Sequence, residues 1–310
     1  KLINNYQDLI KKNSVECNNL FLYSLIPFNN YKIEIENSQT KNKLFNLIYN
    51  TEDHKTSYGK TLIIGGSEGY LGSVIIAGQS SLKSGSRYVE ILSTQKHSET
   101  LATYQPELIS SYSLNDFKKK LILYRNILIG PGLSNDEWST KIFSEFNDYL
   151  LNEKTIKNIV LDAGALGLLA AKPFKYNNWV LTPHPGEAAR LLNKNVMEIE
   201  KDRFKSAKQL SQKFNSVTVL KGSGTIVCSN NKLRFGVCES GNPGMASGGM
   251  GDILSGLIGS FIAQGLNLIE ATETAVELHS ASADIASLDL GELGLLASDV
   301  INTIRTNLAF

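Results

Sequence analysis

The amino-acid sequence predicts an α/β protein in which a mostly parallel sheet is covered by helices on both faces. Short apolar runs, typical of buried strands, alternate along the chain with segments that can hold a helix. Several of these runs end in turns that contain glycine or proline. The chain has 310 residues, 42% of them hydrophobic, so it can bury a large core. Because ligands bind at the carboxyl ends of the strands in such sheets, the turns after the strands are the candidate functional sites.

Six apolar runs are predicted as strands of the sheet. The first is rich in β-branched residues and ends in Gly65-Gly66. The six runs occupy residues 61–64, 88–92, 126–129, 159–162, 179–182 and 217–220. Two further runs, at 225–228 and 233–237, are joined by four polar residues and predict an antiparallel hairpin on the sheet edge.

The helices are predicted from apolar residues at helical spacing. Leu71, Val74, Ile75 and Leu82 recur at this spacing and indicate a helix over 71–84. The segments at 137–151 and 197–214 can each hold a helix or a long loop. Further helices are predicted for a segment that begins near 249–252 and includes 257–263, and for two amphipathic C-terminal stretches at about 268–288 and 298–308.

Residues 1–50 differ in composition from the rest and are interpreted as an N-terminal extension or remnant linker ahead of a main domain at 51–310. Asn, Lys, Tyr and Glu dominate this segment, and glycine is absent before Gly59. The chain opens with Lys1 instead of methionine, which suggests a processed or truncated chain. Residues 20–49 are expected to contain a short strand or helix packed on the main domain.

Overall composition favours a cytoplasmic protein that binds neither nucleic acid nor membrane. Thirty-one basic and thirty acidic residues leave a formal charge of +1, so any phosphate recognition must be local. The three cysteines have no metal-ligand spacing, and one would be left over if two paired, which points to a reducing compartment. No apolar run reaches the ~18 residues of a membrane span, and no signal sequence opens the chain.

The glycine-rich stretch at 241–255 is the candidate active site. Five glycines within 241–251 let a ligand approach the backbone amides without a Cβ in the way. The helix that begins near 249–252 would point its unpaired N–H groups and positive dipole at a phosphate. Asp252 has two interpretations: it is an ordinary helix cap, or it is the base that activates a group attacking phosphorus.

The sequence Gly-Met-Gly-Asp at 249–252, after Asn-Pro-Gly-Met-Ala-Ser-Gly, resembles the anion-hole and base motif of ribokinase-like enzymes. More narrowly, the chain is similar to the ADP/ATP-dependent NAD(P)H-hydrate dehydratases. The similarity covers the chain from about Asp53 to its end, and five further motifs support it in a fixed order: residues 59–67, 129–133, 161–166, 182–187 and 220–225. The resemblance implies a ribokinase-like three-layer fold. Some relatives carry an upstream epimerase domain, of which residues 1–50 could at most be the tail.

The resemblance also implies a role for particular residues. Asp252 would be the catalytic base and a substrate contact. The nucleotide-binding residues would be Lys221, Gly222, Ser223, Gly224, Thr225 and Gly251, and the anion hole would be Gly249, Met250 and Gly251. The hydrate of NADH or NADPH would contact Ser73, Gly132 and His184. Ser73 is a departure, because relatives commonly have Gly-Ala where this chain has Gly72-Ser73.

Several of these positions also have structural interpretations. His184 could be a loop histidine that bonds to backbone. Glu187 could cap the helix that begins near Gly186, or act on a metal or in catalysis, and Asp162 is similarly ambiguous. The 221–225 segment could be an ordinary tight turn, and it lacks the spacing of a Walker A motif.

The reaction implied by the resemblance is the repair of a hydrated nicotinamide. A nucleotide phosphorylates the ring hydroxyl, phosphate leaves, and the dihydropyridine returns. Relatives imply ADP, giving AMP, or ATP as co-substrate, Mg²⁺ bridging the nucleotide phosphates through undetermined ligands, and a homotetramer. Two alternatives stay open: a ribokinase-like kinase acting on a vitamin precursor, and a catalytically silent nucleotide-binding module. A dinucleotide-binding dehydrogenase is the weaker interpretation, because the glycines at 65–72 lack its spacing.

Overall fold

A computed structural model describes residues 20–23, 59–113, 117–152, 156–230 and 234–308. The ten strands of this part of the chain form one sheet in the order β1-β10-β9-β8-β7-β6-β5-β2-β3-β4. In chain order they are β1 Leu20–Tyr23, β2 Thr61–Ile64, β3 Val89–Leu92, β4 Ile109–Ser111, β5 Asn126–Ile129, β6 Asn158–Leu161, β7 Trp179–Leu181, β8 Val217–Leu220, β9 Thr225–Ser229 and β10 Arg234–Cys238. Only the two pairings of β9, with β8 and with β10, are antiparallel in this sheet.

The helices cover the sheet; most of them lie between successive strands, and the last three follow the final strand. In chain order they are α1 Leu71–Lys83, α2 Gln95–Tyr104, α3 Phe117–Leu123, α4 Glu137–Asn152, α5 Gly164–Ala171, α6 Pro185–Leu192, α7 Val196–Lys201, α8 Arg203–Phe214, α9 Met250–Ala263, α10 Leu268–Leu290 and α11 Ala297–Leu308. A single 3-10 turn, Pro243–Met245, precedes α9 in the glycine-rich loop.

Two hydrophobic clusters lie on opposite faces of the sheet, which confirms the three-layer prediction. Successive strand residues point to opposite faces, so Ile63 packs with α1, α9, α10 and α11, whereas Leu62 and Ile64 pack with helices α3 to α8. All four residues of β2 are fully buried. Burial on both faces explains why the strands are continuous apolar runs instead of alternating ones.

The predicted strands are confirmed to within one residue or two at their ends, and the hairpin is antiparallel as predicted. Its position at the sheet edge was wrong, because β1 pairs in parallel with β10 and lies outside it. β1 also supplies the short strand expected within residues 20–49; the rest of that expectation lies outside the described residues. The sequence did not indicate β4, since its Ile-Ser-Ser residues are partly exposed and form no apolar run.

Two segments differ in detail from what the sequence suggests. The segment at 197–214, which can hold a helix or a long loop, forms two helices, because Asp202 leaves helical geometry at φ −148° and its side chain accepts a hydrogen bond from the Lys205 amide. The helix predicted as amphipathic at 268–288 is buried along most of its length, where it is packed between α9, α11 and the sheet. Within the described residues, no helix has the length and hydropathy needed to cross a bilayer.

Candidate active site

The turns after β2, β5, β6, β7 and β8 meet at one edge of the sheet because these strands are parallel and adjacent. Backbone hydrogen bonds join neighbouring turns: the Gly66 amide donates to the Pro131 carbonyl at 2.9 Å, and the Lys221 amide donates to the Pro183 carbonyl at 2.9 Å. The motifs at 59–67, 129–133, 161–166, 182–187 and 220–225 each contain one of these turns. The glycine-rich loop and the start of α9 reach the same place.

Helix α9 begins at the glycine-rich loop in a conformation that requires glycine. Gly249 precedes the helix with φ +89°, and a Cβ on it would lie 2.7 Å from Ile76 Cδ1 and 3.0 Å from Ala297 Cβ. The first amides of a helix have no acceptor within the helix, so the amides that follow Gly249 are available to an anion. Asp252 lies in this first turn.

The glycine-rich loop is held from the side of α10. The Asp284 carboxylate accepts hydrogen bonds from the Gly241 amide at 2.9 Å and from the Asn242 side chain at 3.0 Å. Farther along the loop, the Ser247 hydroxyl donates to the Leu295 carbonyl at 2.9 Å. These contacts fix the loop before α9 begins. Asp284 lies in no sequence motif, so its part in the site was not predicted.

Three carboxylates surround the Lys221 ammonium. Nζ of Lys221 lies 2.9 Å from Asp162 Oδ1 and 3.9 Å from Glu187 Oε2. A Cβ on Gly251 would lie 3.3 Å from the same Nζ and 3.8 Å from Asp162 Oδ2, which places the first turn of α9 against this pair. Asp162 also accepts a hydrogen bond from the Thr182 hydroxyl at 2.7 Å. Asp162, Glu187, Lys221 and the first turn of α9, which are at least 25 positions apart in sequence, therefore form one charge cluster.

The cluster shifts the protonation of two of its carboxyl groups. Burial, reinforced by the Asp162 charge, raises the pKa of Asp252 to about 7, although a hydrogen bond from Ser73 and the Lys221 charge act against this. Burial also raises the pKa of Glu187 to about 7, and the charge of Lys221 opposes that shift. Burial alone would lower the pKa of Lys221, but Asp162, Glu187 and Asp252 reverse the effect and raise it. Near neutral pH, Asp252 can therefore both accept and release a proton.

His184 and Glu187 together cap helix α6. The His184 Nδ1 accepts from the Gly186 amide at 3.0 Å, and Glu187 Oε2 accepts from the His184 amide at 2.8 Å. Burial, with the charges of Lys221 and Arg190, lowers the pKa of His184. The ring is therefore neutral near pH 7, and because Nδ1 accepts a bond, Nε2 carries the proton. His184 is half-exposed, so this N–H can serve a ligand.

The 221–225 turn carries two glycines with positive φ, Gly222 at +143° and Gly224 at +67°. The Thr225 hydroxyl donates to the Gly222 carbonyl at 3.0 Å, which closes the turn. Arg203, at the start of α8, donates a hydrogen bond to the Ser223 carbonyl in this turn. The sequence did not point to Arg203, because it lies outside the motifs at 182–187 and 220–225.

Gly132, in the turn after β5, and Ser73, in the helix after β2, lie on the other side of the charge cluster from the 221–225 turn. Gly132 has φ +65°, and a Cβ on it would lie 2.6 Å from the Tyr70 carbonyl oxygen, so this turn touches the start of α1. The Ser73 hydroxyl, in the first turn of α1, bonds to the Asp252 carboxylate. Ser73, Lys221 and Gly251 thus lie around Asp252, while His184 reaches the cluster through Glu187.

No group of three or more His, Cys, Asp and Glu side chains in the described parts of the chain is arranged to hold a metal ion. The carboxylates around Lys221 are hard oxygen donors, and the ammonium occupies the space between them. A divalent cation would therefore need additional ligands such as phosphate oxygens and water.

The chain was compared with known proteins. The family model described as NAD(P)H-hydrate dehydratase matches residues 61–306. The bifunctional NAD(P)H-hydrate repair enzyme Nnr of Coxiella burnetii is 40% identical over 254 residues, which cover 81% of this chain and 51% of that protein. The ADP-dependent (S)-NAD(P)H-hydrate dehydratase of Neisseria meningitidis is 33% identical over 263 residues, covering 82% of this chain and 86% of that protein.

Solved structures of similar proteins point to the same family and fold. The ADP/ATP-dependent NAD(P)H-hydrate dehydratase of Bacillus subtilis, co-crystallised with ATP and Mg²⁺, matches with a TM-score of 0.74 and 28% identity, over 84% of this chain and 92% of that one. A ribokinase-like superfamily protein of Enterococcus faecalis matches with a TM-score of 0.76 and 25% identity, over 93% and 95% of the two chains. The chain spans about half the length of the bifunctional relatives it matches. With the family model covering most of its length, the chain belongs to the NAD(P)H-hydrate dehydratase family.

Proposed function

We propose that this protein dehydrates the hydrates of NADH and NADPH in a nucleotide-dependent reaction that returns NAD(P)H. The observation that carries the proposal is the placement of Asp252. Its carboxyl group, with a pKa of about 7, lies in the first turn of α9, where the helix offers free amides to a phosphoryl group. A base and an anion-binding helix start within one turn are suited to phosphorylating a hydroxyl group.

In the proposed mechanism, the hydroxyl oxygen on the hydrated ring attacks the terminal phosphorus of the nucleotide. Asp252 accepts the hydroxyl proton as the new O–P bond forms, and the bond to the leaving nucleotide breaks. The amides of Gly249, Met250 and Gly251 stabilise charge on the transferred phosphoryl group. The ring nitrogen then assists loss of phosphate, a ring carbon gives up a proton, and the dihydropyridine is restored.

The two substrates would bind on different turns of the same sheet edge. We assign the adenine nucleotide to Lys221, Gly222, Ser223, Gly224 and Thr225, together with Gly251, because the positive-φ glycines let the turn present its amides to phosphate. We assign the hydrate to Ser73, Gly132 and His184. The Nε2–H of neutral His184 would donate to an oxygen of the hydrate.

Mg²⁺ fits this site through the nucleotide. Magnesium in phosphoryl-transfer enzymes is usually held by one or two carboxylates, phosphates and water. Asp162 and Glu187 are the carboxylates positioned for this, both next to Lys221. The ion would supply charge neutralisation on the phosphates, while Lys221 keeps the two carboxylates in place.

Three finer assignments complete the proposal. The co-substrate would be ADP, giving AMP, in line with the name of the Neisseria relative; the Bacillus relative is named as using ADP or ATP. The assembly would be a homotetramer, supported by the exposed leucines at positions 288 and 290 in the last turn of α10 and at 293 and 296 in the loop before α11. The location would be cytoplasmic, supported by the buried free thiols of Cys228 and Cys238.

The test is a direct assay of the purified protein. NADH hydrate would be mixed with ADP, and separately with ATP, each with Mg²⁺, while recovery of the dihydronicotinamide absorbance is followed. Recovery that requires both nucleotide and protein supports the proposal. If the absorbance fails to recover while a vitamin precursor is phosphorylated under the same conditions, the protein is a small-molecule kinase instead.

A further inference from the structure

Arg203 packs against the 221–225 turn and donates hydrogen bonds to its backbone carbonyls. Its Nη1 donates to the Ser223 carbonyl at 3.2 Å. Its Nη2 lies 3.1 Å from the carbonyl of Leu220, 3.3 Å from that of Lys221 and 3.4 Å from that of Gly224. A guanidinium group is planar and permanently charged, and it carries five donors in a fixed fork, whereas a lysine ammonium has three donors on a single atom. The guanidinium can therefore hold four carbonyls at once.

These bonds orient the peptide groups of the turn. In a trans peptide the N–H points opposite to the C=O of the same group. The carbonyls of Lys221 and Ser223 face Arg203, so the amides of Gly222 and Gly224, which share those peptide groups, point away from it. The positive φ values of the two glycines permit this arrangement. The outcome is a turn with carbonyls on the guanidinium side and amides on the other, which is how a backbone binds an anion.

The fit between Arg203 and the turn is close. A Cβ on Gly222 would lie 2.5 Å from the Arg203 Nη1, so the guanidinium fills the space that a side chain at 222 would need. Asp202 interrupts the helix just before Arg203 and caps α8, which directs Arg203 toward the end of β8. The Arg203 side chain is only 16% exposed.

We propose that Arg203 is a positioning residue for nucleotide binding, which orders the 221–225 turn so that the amides of Gly222 and Gly224 face the phosphates. Arg203 acts through the turn and does not touch the nucleotide. The ligand in this inference rests on the proposed function, whereas the ordering of the turn does not.

The test compares Arg203→Ala, Arg203→Lys and a control, Lys205→Ala. Lys205 lies in the same first turn of α8, and its side chain is exposed. Hydrogen–deuterium exchange of the free proteins reports on the order of residues 221–225, and calorimetric titration with ADP and ATP reports on nucleotide binding. Loss of several charge-assisted hydrogen bonds should weaken nucleotide binding by at least about ten-fold in both Arg203 variants. Binding of NADH hydrate should change by less than about two-fold, because that ligand uses other turns.

Arg203→Lys separates the planar fork from the charge. We expect it to behave like Arg203→Ala, with faster exchange in the turn and weak nucleotide binding, while Lys205→Ala matches the parent. Unchanged exchange in both Arg203 variants would overturn the inference whatever the ligand. Faster exchange with unaltered nucleotide affinity would overturn the binding role. A parent protein that binds no adenine nucleotide would instead overturn the proposed function, and exchange alone would then decide whether Arg203 orders the turn. If Arg203→Ala does not fold, Arg203→Lys supplies the same comparison.

Discussion

Asp252 illustrates how opposing contacts set the protonation of one residue. Burial and the neighbouring Asp162 charge raise its pKa to about 7, while the Ser73 hydroxyl and the Lys221 ammonium favour the charged form. A base with a pKa near the working pH accepts a proton readily and is also deprotonated in a large share of molecules. The environment of Asp252 therefore supports its interpretation as the base, although it also lies where a helix cap would.

Replacing Asp252 with asparagine should abolish most activity while the fold is kept. The Asp252→Asn side chain cannot accept the hydroxyl proton, so turnover should fall by roughly 10²–10⁴-fold, the usual contribution of a positioned general base. Turnover and nucleotide affinity would be measured side by side. Asp299→Asn is the control, because Asp299 caps α11 through the Leu296 amide without facing the site. Near-normal turnover of Asp252→Asn would leave Asp252 as a structural residue only.

The Ser73 hydroxyl should set the pH dependence of the reaction. Its hydrogen bond stabilises the Asp252 carboxylate and lowers its pKa, so Ser73→Ala should raise that pKa and shift the acidic limb of kcat/KM to higher pH. The profile of the variant would be compared with that of the parent across pH 5–9. Superimposable acidic limbs would show that Ser73 does not tune the base.

At the scale of elements, the site depends on where strands end and where α9 begins. Parallel strands deliver their turns to one edge, and each turn brings a different chemical group. The start of α9 contributes amides, and Gly249 provides the positive φ that ends the loop. Gly251, by contrast, is not one of the glycines with a positive φ. Its importance comes from its position next to Lys221, because an added Cβ would lie 3.3 Å from the Lys221 Nζ.

Gly251→Ala should reduce the rate more than the stability. The added methyl group would lie 3.3 Å from the Lys221 Nζ and would crowd the anion hole. We expect a loss of at least about 10²-fold in turnover, comparable to removal of one anion-hole donor. Gly259→Ala on the same helix is the matched control, since its methyl group would meet Thr61 only at 3.7 Å. If Gly251→Ala melts and turns over like the parent, the start of α9 does not hold the phosphoryl group.

Lys221 and His184 should affect different ligands because they follow different strands. Lys221→Ala should weaken nucleotide binding more than hydrate binding, and His184→Ala should do the reverse. Calorimetric titration of each variant with each ligand measures the four affinities. Equal losses for both ligands in both variants would argue against separate subsites at this edge.

At the scale of the whole molecule, folding brings the carboxylates of Asp162, Glu187 and Asp252 around Lys221 from three strands or helices. The unfolded chain separates these groups, so Asp252 titrates near its ordinary pKa of 3.8 there and near 7 in the folded protein. The folded state therefore binds the proton more tightly. Stability from this group is fully present below about pH 4 and is lost as pH rises through about 7.

Asp252→Asn should therefore become more stable relative to the parent as pH rises from 5 to 8. The asparagine variant does not carry the buried negative charge that the parent acquires in this window, and the difference between the two proteins cancels the titration of groups that do not interact with Asp252. Thermal melting of both proteins at several pH values gives the difference in Tm. A difference that is constant, or that shrinks with rising pH, would contradict the raised pKa of Asp252.

Local residue patterns predicted the strands β2, β3 and β5 to β10 and the turns that follow them, because β-branched runs and glycines act locally. It also placed Asp252 at a helix start and identified the motifs of the family. Its errors lie where local pattern and tertiary contact disagree. The hairpin was predicted on the sheet edge, yet β1 lies outside it. The helix at 268–288 was predicted as amphipathic, yet α10 is buried along most of its length by the elements packed around it.

Which side chains meet depends on tertiary contacts. Lys221 was expected to face phosphate, and the fold shows its ammonium bonded to Asp162, which lies 59 positions earlier. Arg203 and Asp284 hold the two loops of the site, but neither lies in a motif. Hydrogen bonds and pKa shifts depend on distances of a few ångströms, and those distances depend on strand order, which residue spacing along the chain does not encode.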